Sequence, residues 1–167
     1  MSSRNDFFDK VNKQNEAEKE ARNAFNNELK EFQVKTQQLI NDIQSWFEGS
    51  SITSTISQRE ISESIDPTVV NRVQSLTLKN GEKTLTIEPE GLRFFGGISG
   101  ALRVKIINMS RAPNSQTFSL HMYDRAPRAK GVTDSYEGWV IVTSCNEGRV
   151  VEAFNEENFF AQIESFA

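Results

Sequence analysis

The sequence predicts an α+β fold: a long N-terminal helix that could take part in a coiled coil, an antiparallel meander sheet of about 5–7 strands, and a short C-terminal helix. Three observations predict it. From Asp6 to Glu48 there is neither glycine nor proline. From Leu76 onward, apolar and polar residues alternate in short runs separated by Asn-Gly, Pro and Gly. Near the end, Phe159, Phe160, Ile163 and Phe166 return to helical spacing. The organisation that follows is a helical arm over 1–49, a Ser/Thr-rich connector over 50–72, and a sheet domain with its terminal helix over 73–167.

Ser3-Arg4-Asn5-Asp6 fits a capping box, in which a hydroxyl and an acid satisfy amides at a helix start. Gly49 suits the position just past the helix end. A helix of that span would be about 60 Å long. Its second half carries a four-three spacing, Phe25, Leu29, Phe32, Thr36, Leu39, Ile43 and Trp46. Extended backwards, the frame meets Arg22, Glu18 and Asn15, then Val11 and Phe8. Two packings satisfy the spacing. Phe25, Leu29, Phe32, Leu39, Ile43 and Trp46 can form a seam for self-association, in a coiled coil or helical hairpin. They can equally lie on the chain's own sheet. The polar stretch 12–22 is also a place where one helix could become two.

Residues 50–68 are rich in Ser and Thr with isolated isoleucines, which reads as a connector with room for a short edge strand. Asp66-Pro67-Thr68 starts a turn or one helical turn through Val69, Val70 and Val73. Asn80-Gly81 lies between two alternating runs, the signal for a hairpin with a type I′ turn. Pro89-Glu90-Gly91 reads as a further turn, and Gly96–Gly100 as a loose hairpin or bulge. Leu92–Phe95, Ala101–Ile107 and Thr117–Tyr123 read as strands, and Trp139–Thr143 as a buried one. A short strand over Arg149–Val151 precedes Asn155, which suits the N-cap of the last helix.

The charge is segregated. Residues 91–132 hold seven bases against one acid, or +6, inside a chain of net charge −4. Residues 133–167 hold one base against seven acids, or −6. Such asymmetry marks a binding face, or two segments that neutralise each other. Alternation places Leu102, Val104, Ile106, Phe118, Leu120 and Met122 on a core face and Arg103, Lys105, His121 and Tyr123 on the opposite one. The loop 124–137 is long for a compact domain and adds Arg125, Arg128, Lys130 and Tyr136 as candidate binding residues.

Most site chemistry is disfavoured. One His and one Cys, with no repeated ligand spacing, argue against zinc, haem and iron–sulfur sites, and no cofactor is expected. Neither a nucleophile elbow nor a phosphate-binding glycine loop is present. His121 is the weak catalytic candidate: with a Lys or Arg and Tyr123 it could serve a metal-independent nuclease. The same block, 91–132, could bind RNA or single-stranded nucleic acid, with Tyr123 and Phe95 stacking on bases. The reading these features favour is a non-catalytic protein-interaction module. A small cytosolic chaperone, an immunity protein or an inhibitor would be of this kind, binding a protein partner through the sheet face or the 124–137 loop. The charged N-terminus, the lone cysteine and the lack of a membrane-length apolar run lead to the expectation of a cytoplasmic protein without a membrane partner.

Overall fold

A computed structural model of the chain describes residues 2–62, 70–94, 98–124, 138–145 and 148–167, the Cys145 side chain excepted. It has the α+β architecture that the sequence predicts. Helix α1 (Ser3–Trp46) comes first, followed by strands β1 (Thr53–Ser62), β2 (Val70–Asn80), β3 (Lys83–Arg93), β4 (Ile98–Ile107), β5 (Ser115–Asp124), β6 (Val140–Cys145) and β7 (Gly148–Ala153). Helix α2 (Glu156–Gln162) and a 3-10 turn (Glu164–Phe166) end the chain. The strands form one seven-stranded antiparallel sheet in the order β1 to β7, each paired with its neighbour in sequence. Contacts divide the chain into two compact units, Met1–Glu31 and Phe32–Ala167, with the division inside α1.

In the first unit α1 starts one residue earlier than the Ser3 capping box predicts. Ser2 is the cap: its Oγ accepts the Asn5 amide at 3.3 Å, and its carbonyl accepts the amide of Asp6 at 3.2 Å. The polar stretch 12–22 does not break the helix. Asp6/Lys10, Asp9/Lys13 and Glu18/Arg22 each set an acid four residues before a base, a spacing that supports an isolated helix by about 0.2–0.5 kcal/mol per pair. Every residue from 3 to 24 is exposed, and Phe25 and Leu29 are buried.

In the second unit the four-three seam is occupied by the chain's own core from Phe32 onward. Phe32, Thr36, Leu39, Ile40 and Ile43 are at most 3 % exposed. Phe32 packs 6.5 Å from Trp139, centroid to centroid. Gly100, at φ +72°, leaves room for it: a Cβ there would come within 2.9 Å of both Phe32 and Met122. Trp46 stacks on Phe154 at 5.7 Å and touches Phe159 and Phe160, while Phe47 meets Phe160 and Phe166. Of the two packings that the spacing allows, Phe32, Leu39 and Ile43 take the one within the chain's own core.

The sheet's inner face carries the expected alternation, with Leu76, Leu78, Leu85, Ile87, Leu102, Val104, Ile106, Phe118, Leu120, Met122 and Ile141 buried. Four local expectations change. The supposed connector contributes a ten-residue strand, β1, and β2 begins at Val70 where a helical turn was an alternative. Asn80 pairs with Lys83, so the hairpin turn is Gly81-Glu82, with Gly81 at φ +60° and, among the described residues, no non-glycine residue at positive φ. Glycine at the first central position is the mark of type II′ rather than type I′. Pro89 does not turn the chain. β3 runs through it to Arg93, and the register shift between Pro89 and Gly91 absorbs the missing amide as a bulge. Gly49 ends α1's last turn at φ +80°, and Asn155 caps α2 as expected, its side chain accepting the Asn158 amide at 2.7 Å.

The C-terminal segment is pinned by side chain to main chain bonds. Asn80 donates to the Phe166 carbonyl and Asn108 to that of Ser165, both at 2.9 Å. Gln116 donates to the Gln162 carbonyl at 3.2 Å and accepts from the Ser165 hydroxyl at 2.8 Å. Among the described residues, no helix is long and apolar enough to cross a membrane.

Candidate functional site

The register of β4 and β5 sets Arg103 opposite Ser119, Lys105 opposite Thr117, Ala101 opposite His121 and Ser99 opposite Tyr123. Residues that face each other across an antiparallel pair share a side of the sheet. The register therefore brings Arg103, Lys105, His121 and Tyr123 onto the common face that alternation requires. Their surroundings then separate them into three kinds.

Arg103 and Lys105 line an open groove with Glu90, Thr117, Ser119 and Ser144. Arg103 is not a free cation there, because its Nε donates to Glu90 Oε1 at 2.9 Å. The neighbouring strands repeat the device: Arg59 meets Glu88 at 2.8 Å and Arg72 meets Glu60 at 2.9 Å. These exposed pairs each contribute at most about 1 kcal/mol to stability, yet they cancel charge locally. The basic side chain of Arg103 is thus balanced by an acid from β3. Among the described residues, the acidic segment 133–167, the other source of balance, forms no ion pair with Arg103.

His121 is only 8 % exposed. Its Nδ1 lies 2.8 Å from Asp124 Oδ2, and the same oxygen accepts from Arg149 Nη2. The Asp124 carboxylate is fully buried. A carboxylate removed from water requires such partners, since an unpaired one would carry a large desolvation cost. The sign is the reverse of the simple expectation. The one acid of the basic block is matched by the one base of the acidic segment. Chemically, a carboxylate on Nδ1 fixes the orientation of an imidazole, as it does in acid–base catalysis. Here the Arg149 guanidinium on the same oxygen and the burial of the ring make the cluster equally a clasp between the end of β5 and β7.

Tyr123 turns to α1. Lys35 Nζ donates to its hydroxyl at 2.6 Å and sits 4.6 Å from the ring centroid, a combined hydrogen bond and cation–π contact. That use of the ring takes it away from Arg103 and Lys105. Arg125, Arg128, Lys130 and Tyr136, the loop candidates, lie outside the described residues, as does Phe95. Among the described residues no group of three or more His, Cys, Asp or Glu side chains could hold a metal ion.

Sequence reasoning missed Arg149 and Lys35 as members of this region, and noted Asp124 only as the acid nearest His121 in sequence. Asp124 had a local signal, three residues after His121 at a strand end. Arg149 had only its isolation, as the one base in 133–167. Lys35 is 88 residues from Tyr123, and nothing local announces that pair.

A different surface stands out by its exposure. At the start of α1, Phe7, Phe8 and Val11 are 61 %, 48 % and 37 % exposed. Phe7 and Phe8 meet edge to face at 5.6 Å, and Arg4 lies 5.6 Å over the Phe8 ring. Positions 4, 7, 8 and 11 are i, i+3, i+4 and i+7, so the two rings, the valine and the arginine form one patch on one side of the helix. Comparison with protein families, curated proteins and solved structures finds no match to the chain.

Proposed function

We propose that this chain is a non-catalytic protein-interaction module that docks onto a protein partner through its N-terminal helical arm. The observation that carries the reading is the exposed patch of Phe7, Phe8 and Val11 on a helix whose residues 3–24 are solvent-facing throughout. A helix this polar gains little from propensity alone, because helix formation in water is marginal without a packed face. Two adjacent phenylalanines at its start are the kind of anchor an amphipathic helix places in a partner's apolar groove. A chaperone, an immunity protein and an inhibitor all act by docking of this sort.

Two features support this reading over nuclease or nucleic-acid chemistry. His121 is buried and clasped rather than presented to a substrate. Arg103, on the sheet's outer face, is ion-paired with Glu90, which weakens the electrostatic footprint a phosphate backbone needs. The test is capture from extracts of the native host, with wild type and the Phe7→Glu/Phe8→Glu chain as baits. The expected result is a stoichiometric protein held by wild type and lost from the variant. The same proteins on both baits, or none on either at low salt, would refute the reading.

A further inference from the structure

The two edges of the sheet, β1 and β7, are built differently. β7 is six residues long and carries Arg149 and Glu152. β1 is ten residues long, and its register with β2 runs unbroken from Thr53↔Lys79 to Ser62↔Val70. It contains no proline, glycine or lysine. The polar contacts of its side chains run inward. Ser54 accepts from Gln44 at 2.9 Å, Ser57 lies 2.7 Å from the Ser75 hydroxyl, Arg59 reaches Glu88, and Glu60 accepts from Arg72. On the other side, among the described residues, no strand pairs with its amides and carbonyls. Natural sheets normally block such an edge with charged side chains, lysine above all, with proline, a bulge or a very short strand, because an open edge templates another strand; the two charges of β1, Arg59 and Glu60, are paired with Glu88 and Arg72 within the chain's own sheet.

We propose that β1 pairs antiparallel with β1 of a second copy of this chain, about a two-fold axis through Gln58. An isologous antiparallel pair must match residues of the same face, so the numbers of opposed residues add to an even total. Centred on Gln58, the pairing opposes Ser57 to Arg59, Ile56 to Glu60, Thr55 to Ile61 and Ser54 to Ser62. No like charges meet, and Ile61 faces a β-branched partner, a combination that favours sheet pairing. β1 thus supplies a strand of matching length and compatible charge from within the same chain, which a foreign peptide would have to reproduce. Each seven-stranded sheet continues into the other, and both long edges are closed. The pairing is independent of the helical arm.

Sedimentation equilibrium on the full chain tests this. Wild type is expected at twice the 18.9 kDa chain mass. Gln58→Lys and Gln58→Glu each put two like charges on the axis and are expected at the single-chain mass, with an unchanged far-UV circular dichroism spectrum because Gln58 is exposed. A one-to-one mixture of the two variants is expected to restore the doubled mass. The Phe7→Ala/Phe8→Ala chain is expected to remain doubled. Wild type at the single-chain mass at every concentration, variants that keep the doubled mass, a mixture that stays single, or a dimer lost on changing Phe7 and Phe8 would each overturn the proposal.

Discussion

The two ends of α1 use the same residue type in opposite ways. Phe32 is fully buried against Trp139 and the gap that Gly100 leaves, whereas Phe7 is 61 % exposed and meets the ring of its neighbour Phe8. Burial of a phenylalanine contributes about 1.5–3 kcal/mol to folding. Phe32 therefore contributes to the chain's own stability, and Phe7 contributes almost nothing to it. What the contrast teaches is that a helix without a breaker need not be one functional element. The last part of α1 is half of a core, and the first part, residues 3–24, is solvent-exposed surface.

Substitutions along the helix and at its seat can break or sharpen that contrast. Phe32→Ala has the largest expected effect, a loss of about 3–5 kcal/mol and a fall in Tm of roughly 10 °C or more, read by calorimetry. A loss below about 1 kcal/mol would mean that the helix end is not core. Gly100→Ala comes next, at about 2–3 kcal/mol. It forces a side chain onto positive φ and into Phe32 and Met122, a backbone and an overpacking cost together. Thr36 presents a fully buried hydroxyl with no hydrogen-bond partner among the described residues. Thr36→Val is expected to stabilise the chain by about 1 kcal/mol, since an unsatisfied buried donor costs about 1–3 kcal/mol. The smallest change belongs to the arm. Phe7→Ala/Phe8→Ala is expected to shift stability by less than about 0.5 kcal/mol while removing partner capture.

A parallel contrast holds between the two charged groups of the sheet. Arg103 with Glu90 is a solvent-facing pair, and its removal should be nearly silent. Asp124 is buried between His121 and Arg149, so Asp124→Ala leaves the Arg149 guanidinium and the His121 ring without this acceptor, at a cost of about 3–5 kcal/mol in thermal or denaturant unfolding. Equal effects of the two substitutions would show that the clasp is not buried in solution.

Much of the architecture is legible in the sequence because it rests on local rules. The absence of Gly and Pro marks α1, alternation marks β4 and β5, and Asn155 announces α2. The misreadings occur where a local rule was overridden. Pro89 reads as a turn, yet a bulge carries it inside β3. The Ser/Thr-rich run before β2 reads as a connector, yet long pairing with β2 makes it a strand. Asn80-Gly81 signals the hairpin correctly but not which two residues occupy the turn, because register decides that. The candidate site was less legible. Alternation puts Arg103, Lys105 and His121 on one face, and the structure agrees. Whether Arg103 and His121 are free, paired or buried depends on Glu90 and Arg149, which come from other strands, and on Asp124 at the end of β5.

The claim that α1 divides into a core segment and a solvent-facing arm is tested most directly by amide hydrogen exchange on the purified full-length chain. Amides of residues 32–46 are expected to exchange only through global unfolding, and those of residues 6–20 at least about a hundredfold faster, through local opening of an unsupported helix. Uniform protection from Asp6 to Trp46 would contradict the account, because the arm would then be held by the chain itself rather than left exposed for a partner.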